Sequence, residues 1–239
     1  MNWLLWKDYR HNRLIVFTTL AIMVTPYLIG LGVICLWPWI QTYVQNGPTV
    51  YSPPPWREII AGAGVYSVIL SQFCIALLGG NAISAERVDR SSQFLYSLPV
   101  TRRKLLASKL LLASIVTAVP WLVNIVVFLF LLCVTPMPDN VNFNFEGAFM
   151  AAFCVATTGL TFFCVAWFLS SFVASPAFDV CGGVIAPALV IGGFAGINEV
   201  FKLRLDGEVI AHCYLLTCLV LAAVCFGIGT WYYLRRVEP

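Results

Sequence analysis

Charge in this sequence is confined to the joints between apolar stretches. Six stretches, 14–36, 59–83, 110–134, 147–172, 177–198 and 211–234, hold one charged residue, Asp179. The whole chain carries 14 Lys and Arg and 11 Asp and Glu. Each stretch supplies the roughly 20 apolar residues that a helix needs to cross about 30 Å of hydrocarbon. An ionised side chain at mid-membrane costs at least ~2.5 kcal/mol, which accounts for the emptiness. The runs are continuous rather than alternating, which excludes a membrane β-barrel. Only 10% of residues are charged and 60% are hydrophobic. A soluble domain has about 25% charged residues. The sequence therefore predicts an all-α integral membrane protein with six transmembrane helices, residues 1–239 forming a single transmembrane domain.

The first stretch is longer than the roughly 7–15 residues of a signal-peptide core, so it is expected to be a retained span. The nine cysteines all lie inside the apolar stretches, with no CxxC pair. Their odd number argues against a disulfide framework, and they read as small packing residues.

Lys and Arg collect on the cytoplasmic side of a membrane protein. With both termini inside, eleven of the 14 basic residues are cytoplasmic. The opposite orientation reverses the ratio. Both termini are therefore expected in the cytoplasm. A net charge of +3 distributed in this way reports topology, not nucleic-acid binding. Trp37, Trp39, Trp56, Trp231, Tyr232 and Tyr233 stand at span ends, where such rings favour the headgroup level.

Two cytoplasmic segments do not fit a plain bundle. Residues 1–13 are too short and too charged to span. Trp3 and Trp6 beside Lys7 and Arg10 suit a helix lying in the interface. Residues 84–109 form the longest and most charged connection. Val88, Leu95 and Leu98 can share one helical face, and Pro99 disfavours helix at Leu98. The pattern predicts a short amphipathic helix over 84–98, a break, and a new helix leading into span three. Its exposed apolar residues, among them Phe94 and Leu95, point to a docking surface.

The spans hold few polar groups. Gln72, Asn81 and Asn124 either line a translocation path or pair across helices. In span five Gly192 and Gly196 have the GxxxG spacing that permits close helix contact. Pro187 lacks an N–H and favours a kink there, and the span serves either tight static packing or a moving hinge. Ser175-Pro176 is a favourable helix start, and Asp179 suits the positive end of the helix dipole.

Catalytic motifs are missing. There is no GxxxxGK[ST], HExxH or GxSxG, and His11 and His212 are far apart in sequence. No catalytic, cofactor or metal residue is assigned.

At 84–109 the sequence resembles the ABC-2 type transporter permease family. The residues that carry the resemblance are Glu86-Arg87, the run Leu95-Tyr96-Ser97-Leu98-Pro99-Val100-Thr101-Arg102, and Lys109. The opening Lys7-Asp8-Tyr9-Arg10-His11-Asn12-Arg13 is also similar. Ser91-Ser92 replaces the family's Gly-Thr. The resemblance implies the membrane subunit of an ATP-driven transporter, usually an exporter, working as a homo- or heterodimer of permeases. ATP and magnesium would bind a separate P-loop ATPase, not this chain. The ATPase would meet a coupling helix at 84–98 through Glu86, Arg87, Asp89, Arg90, Phe94 and Leu95. A stand-alone secondary transporter or channel, and a non-transporting membrane assembly subunit, remain open alternatives. The lack of midplane charge disfavours the former.

Overall fold

The computed structural model describes residues 2–44, 56–88, 101–134, 145–173, 175–201 and 207–236. Among these, all regular structure is helical. The helices are α1 (Asn2–Val44), α2 (Trp56–Val88), α3 (Arg102–Val134), α4 (Phe145–Phe172), α5 (Pro176–Phe201) and α6 (Gly207–Arg236). Each contains one stretch long and apolar enough to cross a membrane, as the distribution of charge predicts.

Two boundaries differ from the sequence reading, both for local reasons. Residues 2–13 are helical, but they run unbroken into the first span as α1. No Gly or Pro interrupts the sequence before Pro26, so nothing stops the helix. Likewise 84–88 are the last turns of α2 rather than the start of a new helix. Residues 89–98 of the expected coupling helix lie outside the described residues.

The packing has a clear centre. In α2 and α4, 39% and 44% of the apolar window is buried, against 17–22% for the other four helices. α2 packs on α1, α3, α4 and α5, and α4 packs on α2, α5 and α6. The bundle is thus two triplets, α1–α2–α3 and α4–α5–α6, joined through α2. Trp167 on α4 is fully buried at the join. It stacks near Phe163, Phe226 and Tyr233, at ring-centroid distances of 5.9, 6.2 and 6.4 Å.

Small residues make this join possible. A Cβ on Gly79 would lie 2.6 Å from the Phe163 carbonyl oxygen, and one on Gly183 would lie 2.8 Å from that of Phe162. A Cβ on Gly80 would lie 2.8 Å from Val180. In lipid, where apolar burial gives helices little reason to associate, such backbone proximity is a main source of cohesion. The close approach expected at Gly192 and Gly196 is therefore found elsewhere. Those two glycines are exposed, with nothing within 4 Å of an added Cβ. Pro187 is buried within α5, and the helix continues through it.

Candidate functional site

Asp8 on α1 meets Ser108 on α3, and Arg102 at the start of α3 meets Leu234 near the end of α6. The start of α1, the end of α2, the start of α3 and the end of α6 therefore share one face of the bundle. The described ends of the chain, Asn2 and Arg236, lie on that side.

A buried charge cluster lies at this face. Glu86, two residues from the end of α2, receives two lysines on the same carboxylate oxygen. Lys7 Nζ of α1 is 2.7 Å from Oε1, and Lys109 Nζ of α3 is 2.9 Å from it. Lys7 is also 3.4 Å from Asp8 Oδ1, and the Ser108 hydroxyl donates to Asp8 Oδ2. Lys109 donates in addition to the Ala82 carbonyl. The two acids and two lysines balance. Glu86, Lys109, Asp8 and Ser108 are all buried. One helical turn deeper, Asn81 donates to Asn12 Oδ1 at 2.8 Å, joining α2 to α1 a second time.

Local sequence explains the convergence. Leu4, Asp8, Asn12 and Thr19 are buried on one face of α1, while Trp6, Arg10 and Arg13 point outward. The spacing of three, four and seven keeps each set on its own side of the helix. Ser108 and Lys109 follow Leu105 along the buried side of α3.

Burial pushes the Glu86 carboxyl up, but Lys109 and Lys7 more than offset it and hold the group below the ordinary carboxylate value of 4.5. Glu86 is thus ionised at neutral pH. A charge this buried persists only when paired and hydrogen-bonded. The neighbouring cavity, bounded by Asp8, Asn12, Lys109 and Trp167, has a volume of about 10 Å³. It admits at most about one water. The cluster is therefore a clamp on three helices rather than a cargo site.

The described residues place most of those singled out from the sequence. Glu86 is turned inward, so its carboxylate serves the clamp and presents no surface for docking. Arg87 follows it on the last turn of α2. Asp89, Arg90, Phe94 and Leu95 lie outside the described residues. Trp3 is on the first turn of α1. Trp6 is exposed and its ring lies 5.6 Å from that of Tyr9. Arg10 shares the exposed face, whereas Lys7 joins the clamp.

The polar residues within the spans bond to other helices or to their own. Asn124 of α3 accepts from the Tyr27 hydroxyl of α1 at 2.6 Å and donates to Ser67 of α2 at 3.3 Å. Gln72 donates to the Val68 carbonyl at 2.7 Å, and its Oε1 lies against Gly159 of α4. These are the contacts of helix packing. Asp179, in the first turn of α5, is buried beside Gly80, and its N–H closes the first turn onto Ser175 at 3.1 Å.

Sequence reasoning missed the partners. Lys109 and Asp8 carried a signal, since a charge flanking an apolar run and packed among helices needs a counter-charge. Tyr27, Ser67 and Gly159 carried none, because their partners are remote in sequence.

A family model described as ABC-2 family transporter protein matches residues 58–196, from α2 through most of α5. The chain belongs to the ABC-2 transporter family. It is a multi-pass membrane permease of the ABC transporter class. Comparisons with curated proteins and with solved structures return no match. The match leaves out α1 and α6. In this ABC-2 permease, however, α1 supplies Lys7 and Asp8 to the clamp.

Proposed function

We propose that this permease is the membrane half of an ATP-driven exporter in the cell membrane, with both termini cytoplasmic. It works as a dimer with a second permease subunit, and separate P-loop ATPases bind the ATP and magnesium. The observation that carries this reading is the clamp at the root of the segment after Val88. Three helices are locked together where α2 leaves the bundle. A force applied by an ATPase at 84–98 then reaches α1, α2 and α3 as one body. In this reading Arg87, Asp89, Arg90, Phe94 and Leu95 touch the ATPase, and Glu86 positions them.

Other features support the reading. The eleven basic residues on the side of the termini agree with a cytoplasmic face. Trp6 and Arg10 lie on the outward face of α1, as suits a helix start held at the interface. Gly192 and Gly196 leave an outer face of α5 open to close approach by a second subunit. Residues 1–239 act as one transmembrane domain, since α1 and α6 pack on the helices of the matched region.

Affinity purification of the full chain in mild detergent tests the proposal. A P-loop ATPase should co-purify, and cross-linkers placed at Arg90 or Phe94 should capture it. Complexes that never contain an ATPase refute it. Uptake driven by an ion gradient without nucleotide would establish the secondary-transporter alternative.

A further inference from the structure

An open groove of about 600 Å³ lies on the side of the bundle that carries the termini. One wall is Thr101, Arg102 and Arg103 at the start of α3, and the other is Trp231, Leu234 and Arg235 at the end of α6. Three guanidinium groups line the groove, and among the described residues no acid does. Arg102 is half-buried and donates to the Leu234 carbonyl at 3.4 Å, which satisfies one of the carbonyls left open at a helix end. Arg103 and Arg235 are exposed. The Arg235 guanidinium lies 5.3 Å from the centroid of the Trp231 ring, within cation–π range. The ring therefore holds this charge at the groove.

The position of the groove selects its ligand. It lies where two apolar spans end, at Arg102 and at Arg235, which is headgroup depth. Toward the membrane interior, α6 continues from Trp231 with exposed Ile228, Val224 and Val220. Steps of three and four keep these side chains on one helical face. The site thus combines a fork of guanidiniums suited to phosphate oxygens with an apolar track leading away from it. A phosphate attached to acyl chains matches both halves, and basic pockets between spans are known to take such head groups.

We propose that this groove binds the head group of an anionic phospholipid, with Arg103 and Arg235 on the phosphate and an acyl chain along Trp231, Ile228 and Val224. The proposal needs only that the helices span a membrane. It stands whether or not an ATPase partner is found.

The test uses the full-length chain in nanodiscs of phosphatidylcholine, with and without phosphatidylglycerol. Native mass spectrometry counts retained lipid, and thermal unfolding reports its effect. The wild type should retain phosphatidylglycerol in preference to phosphatidylcholine and unfold at a higher temperature when it is present. Arg103→Gln with Arg235→Gln should weaken retention by about tenfold or more, as expected for lost charge-assisted bonds. The unfolding temperature in phosphatidylcholine alone should fall only slightly, through loss of the exposed Arg235–Trp231 contact. Arg10→Gln with Lys104→Gln removes the same charge outside the groove and should leave retention intact. Equal loss in the two double variants would overturn the proposal in favour of diffuse surface attraction. Displacement of the lipid by excess inorganic phosphate, or equal stabilisation by phosphate alone, would overturn it in favour of a free-anion site. Equal retention of both lipids by the wild type would also overturn it.

Discussion

Removing the charge of Glu86 strands Lys109, and the cost can be worked from the geometry. In Glu86→Gln both lysines lose their carboxylate partner. The Lys7 side chain is 28% exposed and retains Asp8 at 3.4 Å, so it relaxes toward water. The Lys109 side chain is 7% exposed and retains only the Ala82 carbonyl among the bonds described here. Breaking a buried pair by deleting one partner costs about 3–5 kcal/mol. The surviving carbonyl bond places Glu86→Gln near the lower figure, about 3 kcal/mol, or roughly 6–12 °C in Tm for a chain of this size. Lys109→Met should cost a similar amount, because Glu86 stays buried. Lys7→Met should cost about 1 kcal/mol, since solvent already screens that end. The double variant Glu86→Gln/Lys109→Met removes the stranded charge and should recover about 2 kcal/mol of the summed loss. Thermal unfolding of all four proteins in one detergent measures the cycle. If the two single effects add to within about 0.5 kcal/mol, the residues are uncoupled and the clamp does not exist in solution.

The same carboxylate predicts a pH dependence. Its folded pKa lies below the ordinary value of 4.5, so its stabilisation is complete above that value and is lost as pH falls through the lower, folded value. Wild type should therefore lose more stability than Glu86→Gln on acidification below the carboxylate range, and parallel pH profiles would contradict this. Gly79→Ala places a methyl group 2.6 Å from a backbone oxygen and should destabilise by about 1–3 kcal/mol. Gly192→Ala, in open space, should be neutral or stabilising by up to about 1 kcal/mol in the isolated chain. Comparing their unfolding temperatures tests the assignment of the two glycine sets. Tyr27→Phe deletes the bond to Asn124 and should cost about 0.6 kcal/mol and at most about 1.7, the average and the maximum measured for bonds between membrane helices. No change in unfolding would mean that the bond is not formed.

The spans were legible because lipid imposes one simple demand on every residue inside it. Apolar runs holding a single charge, Asp179, located all six spans, with the largest offset at the start of α3. Helix ends were less legible, since the boundary at residue 13 was inferred from polarity. Polarity does not stop a helix, and Trp3 to Arg13 simply lead into the span as one rod. Glu86 was found as a notable residue but given a surface role. Its orientation depends on Lys7 and Lys109, which meet it only after three helices have packed. The glycines show the same limit. Gly192 and Gly196 have the spacing of a contact motif, yet the helix contacts are made by Gly79, Gly80 and Gly183, because spacing does not say which face turns inward.

The uninterrupted α2 has a mechanical consequence. At about 1.5 Å per residue it is a rod of roughly 50 Å, with its backbone in close contact with α4 and α5 at Gly79 and Gly80. That point divides the rod into a short arm ending at Val88 and a long arm ending at Trp56. The arms measure roughly 12 and 35 Å. Were α2 to pivot there as a rigid rod, a sideways displacement at Val88 would be magnified about threefold at Trp56, in the opposite direction. Because the clamp fastens α1 and α3 to the short arm, they move with it. A pivot of α2 at the glycine contact would turn a small movement on the side of the termini into a wide one on the far side.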